Sequence, residues 1–123
     1  MKRAELLNEA GDCLVPDVEI ADCTTERMVD LLGRESLGEG SAMFLAPCSS
    51  VHTLTMQFSI DLVFVDKSLN VVRLVWDVQP QRMSWGGPKA WGVVEIGAGW
   101  FPRDALAVGD RISLRELGQA SAS

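Results

Sequence analysis

A chain of 123 residues, 47% of them apolar, carries enough core for one domain without disulfides or metal, and leaves no length for a second. A net charge of -6, with arginines scattered singly, excludes a sequence-independent binder of nucleic acid or anionic membrane, which would hold phosphate with clustered Lys and Arg. Three cysteines (Cys13, Cys23, Cys48) without a CxxC pair, beside one histidine, make no zinc set, and the odd count fits free thiols in a reduced compartment.

At the N-terminus, Lys2 and Arg3 are not followed by an apolar run of roughly 7 or more residues, so no signal peptide is expected and the cytoplasm is the expected location. Residues 1–17 are expected to be weakly ordered, with one helical turn over Glu5 to Ala10 that Gly11 ends. The globular domain is expected over 18–116. It opens on a short alternating strand through Val18, Ile20 and Cys23, after which Thr24 or Thr25 caps a helix. Met28, Leu31 and Leu32 follow helical spacing there, and Gly33 is placed to end it. The loop LGEGS then leads to a short apolar strand from Ala42 to Leu45, stopped by Pro47.

From Val51 to Asp66 runs the longest segment with a clear two-residue period. Leu54, Met56, Phe58, Ile60, Leu62 and Phe64 form one face, and Thr53, Thr55, Gln57, Ser59 and Asp61 the other, until Val63 and Val65 turn both faces apolar. The pattern predicts one long strand, bent near Ser59, that passes from a half-exposed to a fully covered position. Lys67 to Asn70 is a hairpin-length connection, and Val71 to Val78 a second long strand. Gln79 to Lys89 combines Pro80, Gly86, Gly87 and Pro88 with an isolated Trp85 and reads as a mobile loop. Trp91 to Ile96 is a further strand, Trp100 to Leu106 a short helix with Pro102 in its first turn, and Arg111 to Glu116 the last strand. The GQASAS tail is too small and polar to pack, and residues 117–123 are expected to be disordered.

Candidate chemistry is sparse. His52 has the ordinary pKa of a general base, yet its parity is that of the apolar face, which places a hydrogen-bonded histidine at the core rim. Asp61 has the opposite parity, so the two do not meet as a dyad unless the bend resets the phase. Ser49, Ser50 and Cys48 have no nucleophile-elbow motif around them. Gly97-Ala98-Gly99, between a strand and the expected helix, fits an anion-holding turn or, with bulky Trp100 and Phe101 after it, simply a tight one. Among the tryptophans, Trp85 alone leans toward a gate or contact surface.

The ordered pieces resemble the family known as domain of unknown function 192, over roughly Val18 to Leu114. They are Thr25-Glu26-Arg27, Leu31-Leu32-Gly33-Arg34, Met43-Phe44, His52-Thr53 with Met56, Ile60-Asp61, Phe64, Asp66, Pro80, Val94-Glu95-Ile96, Ala98-Gly99-Trp100-Phe101 and Val108-Gly109-Asp110. The chain is similar to a His-Thr variant of the family, whose members often carry an aromatic-Met-Lys-Asn-Thr run there. The resemblance implies a compact, mostly antiparallel α+β domain with two short helices. It brings no established activity, and an accessory role because some members neighbour pilus and secretion genes.

The expectation is therefore an α+β fold, its β part a sheet or partly closed barrel, with two short helices. Its function is expected to be that of a non-enzymatic binding or accessory module. The binding residues would be His52, Thr53, Asp61, Arg27, Arg34 and Glu95, with Arg27 or Arg34 paired to Asp61 or Glu95 because a buried carboxylate is costly without a cation. The alternatives are a small hydrolase or isomerase using His52 and Asp61, and assembly through an unpaired edge strand. No cofactor or metal is expected. The expected partner is an unknown protein or small ligand, without nucleic acid or membrane insertion, and the chain a monomer or weak homodimer.

Overall fold

A computed structural model describes residues 2–21, 38–53 and 57–117, with His52 described by its backbone. Among these residues the chain forms nine strands: β1 (Lys2–Leu7), β2 (Cys13–Ala21), β3 (Ser41–Leu45), β4 (Ser50–His52), β5 (Ile60–Val65), β6 (Val71–Val78), β7 (Met83–Trp85), β8 (Gly92–Gly97) and β9 (Ser113–Glu116). Seven of them make one open sheet in the order β6-β5-β8-β3-β2-β1-β9, and β4 and β7 pair as a separate two-stranded ribbon. All ladders are antiparallel except β2 with β3.

Every residue of β5 and of β8 is buried, so the centre of the sheet is covered on both faces. Alternation sorts their side chains into two cores. Val63, Val65, Val94 and Ile96 join Phe44, Phe101, Leu106 and Ile112, so the turns that follow β8 cover this face. Ile60, Leu62, Phe64 and Val93 join Met43, Leu45, Val51 and Val78, which brings the β4–β7 ribbon to the other. Each such side chain taken wholly from water contributes about 1.5–3 kcal/mol.

The structure corrects the expected α+β class. Among the described residues the protein is a β fold without a helix. The segment from Trp100 to Leu106 is a run of turns, held by one Ala105 N–H to Pro102 carbonyl bond of 3.1 Å, and the helix expected from Thr24 or Thr25 to Gly33 lies outside the described residues. The run from Val51 to Asp66 is not one strand either. Its first residues belong to the ribbon and its last to the main sheet.

At the N-terminus, strand β1 replaces the expected helical turn, because Ala4 and Leu6 alternate into the core while Lys2 and Arg3 stay outside. The NEAGD segment is its hairpin loop. There Asn8 Oδ1 accepts the Asp12 N–H at 2.9 Å, and Gly11 takes the left-handed conformation at φ 88°. Cys48 is disulfide-bonded and Cys13 is free, so the expectation of three free thiols is also corrected. Cys23 lies outside the described residues.

Gly86 fixes where the ribbon meets the sheet. A Cβ at this position would overlap the Phe64 ring and fall 2.7 Å from the Ala90 Cβ, so only glycine lets the backbone lie on the central strand. At Gly38 an added Cβ meets nothing within 4 Å. Gly86→Ala is expected to lower stability by about 1–3 kcal/mol in urea unfolding, with Gly38→Ala within about 0.5 kcal/mol of wild type. Equal, small effects of both would contradict the packing described.

Candidate functional site

Of the residues expected to form one polar patch, Arg27 and Arg34 lie outside the described residues, so their expected pairing with a carboxylate does too. Thr53 and Glu95 are 0% exposed and Asp61 is 2% exposed. Glu95 is in register with Met43 and Leu62, on the face that the ribbon covers, and is not without a partner. Asp61, between Ile60 and Leu62, points to the opposite face. The two carboxylates are thus separated by the sheet. His52 is in β4, whose neighbour Val51 packs on the Glu95 side, so the strand bearing His52 lies across the sheet from Asp61.

Thr53 ties the ribbon to the end of β6. Its N–H donates to the Arg82 carbonyl at 2.7 Å, and its own carbonyl accepts the Gln81 N–H at 2.8 Å. The hydroxyl accepts the Arg82 N–H at 2.8 Å and donates to the Gln79 carbonyl, also at 2.8 Å. A single buried residue therefore satisfies the backbone from Gln79 to Arg82, where Gln81 adopts the left-handed region at φ 64°. At the far end of β7, the Gly86 N–H donates to the Ser49 carbonyl at 2.9 Å while Gly86 rests on Phe64.

Between these two anchors, the register pairs Ser50 with Trp85, Val51 with Ser84 and His52 with Met83. Met83 and Trp85, two residues apart, share one face of β7, and they are 75% and 59% exposed. Held at both ends, the ribbon presents a thioether and an indole to solvent with little backbone freedom left to lose. Such a pair is suited to contact rather than to bond-making chemistry. The isolated Trp85 already pointed to a contact surface in the sequence. Met83 and the strand that carries both were missed, because the surrounding Gly and Pro residues outweigh a three-residue strand in any pattern.

Asp61 has a structural partner. Between the pairs Ile60 with Val78 and Leu62 with Val75, strand β6 carries one residue more than β5, a bulge that sets Trp76 and Asp77 opposite Asp61. Asp77 sits at φ 56°, and its N–H donates to Asp61 Oδ1 at 2.8 Å. Burial pushes the Asp61 carboxyl above the usual carboxylate range, and the Asp77 charge adds to this; the Asp77 and Gly99 N–H groups and the Arg103 charge oppose it in part. Arg103 itself lies over the Trp76 ring, 5.6 Å from its centroid. The Gly97-Ala98-Gly99 turn is followed by turns, so it has no helix dipole for an anion. Among the described residues no three His, Cys, Asp or Glu side chains converge as metal ligands.

A family model, DUF192, an uncharacterized ACR, matches residues 6–114. Among solved structures, a Sinorhizobium meliloti protein named as a candidate transcription regulator superposes with a TM-score of 0.75 at 18% identity, over 92% of each chain. A protein of unknown function from Novosphingobium aromaticivorans superposes with a TM-score of 0.72 at 19% identity, over 90% of this chain and 83% of that one. At these identities the likeness is one of fold. No curated protein gives a significant match.

The raised Asp61 pKa fixes the sign of a pH effect. A carboxyl that is harder to ionise in the folded state contributes stability that is complete below its unfolded pKa, and this is lost as pH rises through the folded one. Asp61→Asn keeps an oxygen to accept the Asp77 N–H but cannot ionise. Its stability relative to wild type is expected to rise as pH increases from about 3 to 7. A relative stability that falls over the same range would mean that Asp61 is held ionised by a cation.

Proposed function

We propose, from the premise that the chain belongs to the DUF192 family, that it is a non-enzymatic binding module which engages its partner through the Met83–Trp85 face of the β4–β7 ribbon. The observation that carries this reading is the exposure of Met83 and Trp85 on a strand anchored by Thr53 at one end and Gly86 at the other. An exposed aromatic and methionine on a rigid support lose little entropy on contact, which favours recognition. Thr53 and Asp61 belong to this module as supports of backbone rather than as contacts, and His52 joins it through its register with Met83.

The rival reading, a small hydrolase or isomerase using His52 and Asp61, draws less support. The strand of His52 and the side chain of Asp61 lie on opposite faces of the sheet, and the Asp61 carboxylate is engaged by Asp77. An accessory role at a pilus or secretion system rests on the family resemblance. The regulator name of the Sinorhizobium meliloti protein is not carried over, because this chain is acidic and its arginines are scattered. No helix among the described residues is long and apolar enough to cross a membrane. The disulfide at Cys48 supports an oxidising compartment as the site of action in place of the expected cytoplasm.

A photo-crosslinking amino acid placed at Trp85, or as control at Asp104 in the turns over the other face, tests the reading. The expected outcome is one defined adduct from the Trp85 position only, competed away by excess wild-type protein and not by the Trp85→Ala variant. The same adducts from both positions, or none from Trp85, would contradict it. Turnover on a panel of esters and phosphoesters, lost in a stably folded Asp61→Asn variant, would establish the enzyme instead.

A further inference from the structure

The ribbon has a second property that bears on what it binds. Gly86 and Thr53 donate toward the facing strands, to Ser49 and Arg82 respectively, so residues 82, 84 and 86 form the inward-bonded set of β7. The N–H and C=O groups of Met83 and Trp85 therefore point away from β4. Among the described strands β7 pairs with β4 alone, which leaves this outer edge without a ladder. The two edges of the main sheet are different: β6 carries Arg73 and Asp77, and β9 carries Arg115, paired with Glu5, and Glu116, paired with Lys2 at 3.5 Å. Charges of that kind discourage strand addition, and β7, reading Met83-Ser84-Trp85, has none.

The segment that carries β7 differs in charge from the chain as a whole. From Val78 to Val94 there is no Asp or Glu, while Arg82 and Lys89 both lie there and are exposed, in a chain of net charge -6. Lys89 and Lys67 also line an open cleft of about 390 Å³ with Trp91 and Pro88. The one carboxylate in that cleft, Asp66, is taken up by the N–H groups of Ser68 and Asn70, each at 2.9 Å.

We propose that the partner is an extended peptide segment that adds to the outer edge of β7 as a third strand, with Asp or Glu flanking an apolar side chain. This rests on the reading of the ribbon as the binding surface. Alternate residues of the segment contact Met83 and Trp85, its backbone pairs with the outward-pointing N–H and C=O groups of those two residues, and its carboxylates meet Arg82 and Lys89. A short edge supplies few backbone bonds, so the side chains and charges set the affinity and its choice of partner.

Panning a phage library of random dodecapeptides against the full chain, then measuring the enriched sequences as synthetic peptides, tests this. Enriched peptides are expected to set Asp or Glu around an apolar residue, and to weaken by about tenfold or more with Trp85→Ala. They are also expected to weaken as salt rises from roughly 0.05 to 0.5 M and to fail when N-methylated at alternate amides. The Arg82→Glu, Lys89→Glu double variant is expected to select basic peptides instead. Basic or uncharged peptides that still need Trp85 would overturn the acidic segment and leave the ribbon reading standing. Tolerance of N-methylation would overturn strand addition. Peptides indifferent to both Trp85→Ala and Met83→Ser would overturn the ribbon reading itself. A dimer dissociated by Trp85→Ala would make the occupant a second copy of this chain, and a library without enrichment would leave no peptide partner, so either result overturns the proposal.

Discussion

Burial of β5 and β8 on both faces is the constraint on which the rest of the structure depends. Two adjacent strands without an exposed residue require a cover on each side, and the chain builds those covers from unlike material. On one face the turns after β8 bring Phe101, Leu106 and Ile112 down onto Val63, Val94 and Ile96. On the other, Val51 of the ribbon packs with Leu62, Phe64 and Val93. The ribbon is thus a structural cover before it is anything else, and the same pinning that makes it a cover makes its outer face a fixed surface.

The polar residues inside the fold follow from this. A sheet buried on both faces has no water to satisfy backbone groups that leave the ladder, so side chains do it. Asp61 accepts the N–H of Asp77 at the β6 bulge, and Thr53 satisfies the chain from Gln79 to Arg82. At the surface, Asp66 bonds the backbone of the β5–β6 hairpin in the same way, beside Leu69, which is left-handed at φ 67°. Accepting these N–H groups holds the Asp66 carboxyl below the usual carboxylate range, the reverse of Asp61, where burial outweighs the hydrogen bonds. Two similar carboxylates on one sheet are driven in opposite directions by their depth.

Much of the sheet was legible as pattern. Val71 to Val78 coincides with β6, and the stretches read at Ala42 to Leu45 and Trp91 to Ile96 fall within a residue of β3 and β8. What misled was continuity. The two-residue period runs on through a change of sheet, with Val51 and Thr53 buried at the ribbon and every residue of β5 buried in the main sheet, and nothing in such a period says against what. In Trp100 to Leu106, Pro102 suits a run of turns as well as the first turn of a helix, and Phe101 and Leu106, five residues apart, reach the same core through turns. At the candidate site, Thr53, Asp61 and Glu95 stood out as polar residues in apolar surroundings, which is true of them. Their burial and their division between two faces depend on strand order, which the sequence does not state. The exposed surface was visible only in Trp85.

The central claim is that β7 is a pinned strand whose outer edge no described strand covers, and amide hydrogen exchange reads both halves of it at once. The N–H groups of Gln81, Arg82 and Gly86 bond to Thr53 and Ser49, whereas those of Met83 and Trp85 point outward. The first three are predicted to exchange about a thousandfold or more slowly relative to their intrinsic rates than the latter two, approaching the protection of β5 and β8. Comparable fast exchange at all five amides would show a ribbon that opens as a unit, and would contradict the account.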